Sequence, residues 1–127
     1  AVGEDLSGRL IPAVEVRLRG LYRLLPPDYY EAADNLADFC DRIEKQYGVR
    51  PVIYCTERTY KNIVASDSRF NKDKIWYESL FSKPDEDMDW TFWTYTNRVK
   101  FSFYESGEYL HMTVFNGSED DFKKLIL

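Results

Sequence analysis

Hydrophobic and polar positions along this chain fall into short runs whose period switches between that of a strand and that of a helix. Ile11-Pro12-Ala13-Val14-Glu15-Val16 is mostly apolar and reads as a strand, with Pro12 tolerated only near its beginning, where a missing N–H does least harm. A basic loop around Gly20 follows, from Arg17 to Arg23, and Pro26-Pro27 block any earlier helix start. Asp28 is a suitable N-cap, and Glu31 three residues on completes a capping box. From there Ala32, Leu36, Phe39, Cys40, Ile43 and Tyr47 recur at helical spacing. Gly48 stands where a helix ends in a left-handed residue.

Pro51-Val52-Ile53-Tyr54-Cys55 is a short apolar run of the kind buried in parallel sheets. Thr56 can cap a helix carrying Tyr60, Ile63 and Val64, and a polar loop runs from Ser66 to Lys74. Ile75-Trp76-Tyr77 predicts a third strand, Lys83 to Asp87 an acidic turn, and Trp90 to Tyr95 a fourth strand. Asn97 to Gly107 fits neither period. Leu110 to Phe115 predicts a fifth strand, Asn116-Gly117 a turn, and Ser118 with Asp121 the cap of a last helix bearing Phe122 and Leu125. The alternation of strand and helix in the first half implies α/β architecture with parallel strands and crossover helices.

Length and composition narrow this further. At 127 residues the chain fits one domain, 1–127, able to bury a core without metal or disulfide staples. Aromatics reach 17%; each serves core packing first, but such rings also stack on sugars. Net charge is −5, which argues against nucleic acid as a partner. No apolar run is long enough to span a membrane. Two cysteines, Cys40 and Cys55, are too few for a disulfide scaffold; a bridge between helix and strand stays open beside two buried thiols. The single histidine, His111, argues against a multi-histidine metal site, and nothing calls for a cofactor.

Three segments carry a resemblance. They are Arg50-Pro51-Val52-Ile53-Tyr54, Trp90-Thr91-Phe92-Trp93-Thr94-Tyr95-Thr96, and Val114-Phe115-Asn116-Gly117-Ser118. In order and spacing they resemble the C-terminal half of glycoside hydrolase family 25 lysozymes. Ile75-Trp76 resembles that family's Leu-Trp strand, and Ile11-Pro12-Ala13-Val14 the start of its central acidic strand. The resemblance runs from about Leu10 to Leu125. It implies a partial (β/α)-barrel of about five strands whose first strands are missing. It also implies a muramidase that hydrolyses β-1,4 bonds of peptidoglycan, without a cofactor, secreted or acting at a cell wall. An open parallel sheet exposes an edge and a face, so the chain is expected to form a homo-oligomer or to meet a completing chain.

The expected chemistry is incomplete. Glycosidases commonly use two carboxyl groups flanking the scissile bond. The family ends its central strand with an acidic pair spaced i, i+2, which brings both side chains to one face. The matching positions here are Glu15 and Arg17. Arg17 cannot act as a proton donor, and a guanidinium beside a carboxylate favours the ionised form, the wrong direction for an acid. Where the family has Asp-x-Asn before its closing motif, this chain has His111-Met112-Thr113. The resemblance therefore implies a catalytic set reduced to Glu15, with Arg17 and His111 at positions of lost acids. Losing one acid–base group costs about 10²–10⁴-fold in rate, so the chain is expected to be catalytically impaired.

Tyr54, Trp93 and Tyr95 are the candidate substrate-binding aromatics; Trp93 and Tyr95, two apart, share a face, with Trp90 and Phe92 pointing the other way into the core. Arg17, Arg19 and Arg23 read as a solvated loop or an anion site. Glu57 reads as a helix-dipole partner and Glu78 as a weak substitute acid. A non-catalytic glycan-binding module, or an oligomer-forming half-barrel, competes with the enzyme reading.

Overall fold

The computed structural model describes residues 8–17, 29–80, 82–99 and 110–127. A five-stranded mixed sheet is flanked by helices. Its strands are β1 (Ala13–Glu15), β2 (Val52–Thr56), β3 (Ile75–Glu78), β4 (Phe92–Val99) and β5 (Leu110–Phe115), in spatial order β1-β2-β3-β4-β5. The first four run parallel and β5 returns antiparallel to β4. Helix α1 (Tyr29–Tyr47) connects β1 to β2. After β2 the chain enters α2 (Glu57–Thr59), which widens into a π-helical turn, Tyr60–Val64, before β3. Helix α3 (Glu119–Lys123) follows β5. This is the element order that the hydrophobic periods imply.

The local chemistry explains most boundaries. Gly48 lies at φ +78°, the left-handed conformation that ends α1. Thr56 caps α2 through its hydroxyl, and the Thr56 N–H in turn donates to Thr59 Oγ1. Ser118 and Asp121 form the corresponding box at α3. The α1 N-cap expected at Asp28 lies outside the described residues, as do Arg19, Arg23 and most of the unassigned stretch before β5.

Three expectations change. The polar loop after residue 66 contains a 3₁₀ turn, Ser68–Phe70, capped by Asp67 and driving Phe70 into the core. The fourth strand starts later than expected and reaches Val99. Trp90 stays outside it because its N–H closes a turn onto the Met88 carbonyl. The first strand is limited to Ala13–Glu15, although Val16 N–H still bonds the Tyr54 carbonyl.

The core lies between α1, the π turn and one face of the sheet. Leu36 and Cys40 from α1, Ile63 and Val64 from the turn, and Ile53, Cys55, Ile75 and Tyr77 from the strands pack together. Cys40 and Cys55 are both free and fully buried thiols. Burial pushes Cys40 up to about 11 and Cys55 to about 12. Beneath the sheet, Arg50 grips Asp73 with Nε at 2.5 Å and Nη2 at 3.0 Å, tying the start of β2 to the loop before β3. The last residues return to the segment before β1, where Ile11 N–H bonds the Leu125 carbonyl and Leu127 N–H the Arg9 carbonyl.

Candidate functional site

Strand register decides which residues share a face, because side chains alternate along each strand while paired residues point the same way. Glu15 pairs with Tyr54, Tyr54 with Trp76, Trp76 with Phe92, and Phe92 with Phe115. One step further along, Thr56 pairs with Glu78, Glu78 with Thr94, and Thr94 with Thr113. Their chain neighbours Val14, Ile53, Cys55, Ile75, Tyr77 and Trp93 pack into the helix-covered core. Glu15, Tyr54, Trp76, Glu78 and Phe92 therefore line the opposite face, toward the carboxyl ends of the parallel strands. That is the end where α/β sheets place their ligands.

The rings form a continuous row. Tyr54 meets Trp76 edge-on at 5.1 Å, Trp76 meets Phe92 at 5.1 Å, and Phe92 meets Phe115 at 5.5 Å. Polar groups at its upper rim are paired. Tyr54 donates its hydroxyl to Glu78 Oε2 at 2.7 Å. The Trp76 indole N–H donates to Thr94 Oγ1 at 2.9 Å, and the Thr94 and Thr113 hydroxyls lie 2.7 Å apart. Burial first, then the bond to Glu78, pushes the Tyr54 phenol well above its ordinary range, so it stays a donor. At the edge strand, Arg17 donates from Nε to Glu15 Oε1 at 2.5 Å. Both side chains are substantially exposed. The Arg17 charge is further favoured by Glu78 and Tyr54, which places this pair beside the Tyr54–Glu78 pair.

Glu15, Arg17 and Tyr54 are thus brought together. Trp93 and Tyr95 are not with them. Trp93 lies on the helix side against the core, its indole N–H held by the Ser79 carbonyl at 3.1 Å, and Tyr95 stacks beside it at 5.7 Å. Trp90 joins this second cluster, 6.1 Å from Trp93, so it does not share a side with Phe92 as expected. His111 is exposed on β5, on the side of Thr113 by strand alternation, at the opposite edge of the sheet from Glu15. Trp76 and Phe92 were not singled out as ligand-facing by sequence reasoning. The signal was present: each is flanked by residues of the buried face, as Tyr54 is.

Among the described residues, no group of three or more His, Cys, Asp or Glu side chains is placed to hold a metal ion. Nor is any described helix long and apolar enough to cross a membrane.

Comparison with known proteins places this arrangement. The model of glycosyl hydrolases family 25 matches residues 23–102, and the chain belongs to that family. A family 25 glycosyl hydrolase from Bacillus anthracis is similar with a TM-score of 0.78 and 28% identity, over 94% of this chain and 55% of that one. A family 25 lysozyme from Aspergillus fumigatus has a TM-score of 0.71 at 18% identity, and a muramidase from Acremonium alcalophilum 0.70 at 20%. Each of these two is matched over 98% of this chain and 60% of its own length. The chain thus spans little more than half the length of the solved structures it matches. No curated protein sequence matches it.

Proposed function

We propose that this chain forms the C-terminal part of a family 25 barrel, holds a β-1,4-linked peptidoglycan glycan across the sheet face opposite α1, and is impaired as a hydrolase. The observation that carries the impairment is the Glu15–Arg17 contact. The strand end where two carboxylates are expected offers one, and its Oε1 already accepts from a guanidinium. Arg17 has no proton to give at any workable pH. Glu78 accepts a hydrogen bond from Tyr54, and His111 stands at the other edge of the sheet.

Binding is supported by the aromatic row. Tyr54, Trp76 and Phe92 are partly exposed and ringed by hydroxyl and carboxylate groups, the mixture that grips a sugar's apolar face and its hydroxyls. In this reading Trp76 and Phe92 take the place in the substrate contact that sequence alone gave to Trp93 and Tyr95.

A second reading has its own support. β1 pairs with β2 alone among the described residues, which leaves its outer edge open. An open edge invites another strand, from a second copy or a completing chain. Sizing the purified chain by light scattering tests assembly. Binding to insoluble peptidoglycan, with Trp76→Ala as the comparison, tests the glycan reading: equal retention of the two proteins would remove its main support.

A further inference from the structure

Beyond the carboxyl ends of β2 and β3 lies a cavity of about 470 Å³ that the sheet face does not include. It reaches from the start of α2 to the residues after β3, and Glu78 belongs both to its wall and to the hydrogen bond with Tyr54. A sugar chain lying across Tyr54 and Trp76 would therefore present one end, or one substituent, to this cavity. Its volume is in the range of ordinary small-ligand sites.

The charges in its wall are unevenly matched. Glu57 is taken by Lys61, Oε1 to Nζ at 2.8 Å. Glu78 accepts from Tyr54. Arg58 has no carboxylate partner among the described residues; its guanidinium makes one long contact, 3.4 Å, to the Tyr29 hydroxyl. A guanidinium at a cavity rim, with its donors largely unspent, is a ready bidentate site for a carboxylate. Leu80 supplies an apolar wall beside it.

We infer that this cavity is a carboxylate subsite, in which Arg58 takes an acidic group carried as a lactyl or peptide substituent on the bound glycan. The inference rests on the glycan-binding reading and names the part of the ligand that gives it specificity. Arg58 acts only in binding and takes no part in bond cleavage.

Calorimetric titration of the purified chain with three probes tests it. The first is an N-acetylglucosamine tetramer, which has no carboxylate. The second is the disaccharide of N-acetylglucosamine and N-acetylmuramic acid, with a free lactyl carboxylate. The third is the same disaccharide with its lactyl group amidated by a dipeptide that ends in a carboxylate. The native chain should bind at least one acidic probe about tenfold more tightly than the tetramer, and added salt should shrink the difference. Arg58→Gln should abolish that preference while leaving tetramer affinity and the melting temperature unchanged. Whichever acidic probe is preferred identifies the substituent. Equal binding of all three by the native chain, or a preference that survives Arg58→Gln, overturns the subsite and leaves glycan binding standing. Failure of every probe to bind overturns the glycan reading and the subsite with it.

Discussion

Tyr54 gives its hydroxyl hydrogen to Glu78 Oε2 at 2.7 Å, joining β2 to β3 where their carboxyl ends open toward the cavity. The contact keeps the phenol protonated well beyond its usual range, burial being the larger cause. An unfolded Tyr ionises near pH ~10 and an unfolded Cys near ~8.5. A group whose folded pKa lies above its unfolded one contributes stability at pH below the unfolded value, and loses it as pH rises toward the folded value. Cys40 at about 11, with Cys55 and Tyr77 at about 12, acts in the same sense. Urea unfolding followed against pH should therefore show a plateau near neutrality and a decline that begins at about pH 8.5. Tyr54→Phe should flatten the part above about pH 10 and cost about 1–3 kcal/mol at pH 7, where Glu78 loses its donor. A midpoint that stays level to pH 11 would contradict these environments.

The two faces of the sheet give Trp76 and Trp93 different work. Trp93 packs against the core and Trp76 does not. Trp93→Ala should destabilise the fold, toward the lower end of the ~3–5 kcal/mol typical of large aromatic truncations. Trp76→Ala should cost less stability and weaken glycan binding about tenfold, equivalent to ~1.4 kcal/mol. Denaturant melts and a glycan pull-down on the same two variants check both halves; a reversed pattern would mean that the face assignment fails.

The Asp73 side chain is 2% exposed and depends on Arg50, which reaches it through two nitrogens while also touching Asp41 at 2.8 Å. Removing only the cation strands a buried carboxylate. Arg50→Ala should therefore destabilise by about 3 kcal/mol, and Asp73→Asn by less, since no uncompensated charge remains in the buried position. Urea midpoints at neutral pH distinguish the two. Equal and small losses would show that the pair is solvated.

Cys40 and Cys55 should resist a thiol-specific disulfide reagent in the native state and both titrate after unfolding. Their complete burial and raised pKa values each suppress the reactive thiolate. Rapid modification of either thiol at neutral pH would mean that α1 and β2 separate readily.

Much of this architecture is legible in the chain itself, because the devices that set it are local. Thr56, Ser118 and Gly48 end or begin their helices by short-range hydrogen bonding and backbone conformation, and all three can be read from neighbouring residues. The π-helical turn at Tyr60–Val64 cannot; it differs from an α-helix by one hydrogen-bond step, and the apolar spacing of Tyr60, Ile63 and Val64 suits either. The site fell between these cases. Glu15 and Arg17 are legible as the pair that matches the family's acidic positions, and Tyr54, Trp93 and Tyr95 as candidate aromatics, Trp93 and Tyr95 from their i, i+2 spacing together with the resemblance. Spacing tells which residues of one strand share a face, not which face of the sheet that is. The register Tyr54↔Trp76↔Phe92, which exists only once the strands pair, sets Trp76 and Phe92 on the face of Tyr54, opposite Trp93. Arg58 carries no sequence signal, since its proposed role rests on its having no carboxylate partner among the described residues, where Lys61 has Glu57.

The most direct test of impaired catalysis is the release of new reducing ends from purified peptidoglycan by the 127-residue chain, with Glu15→Gln as the control. Release should be no greater than from the control, because Arg17 occupies the position of the expected second acid and pairs with the remaining carboxylate. Release well above the control, abolished by Glu15→Gln, would contradict it and show that another group, Glu78 first among them, supplies the proton.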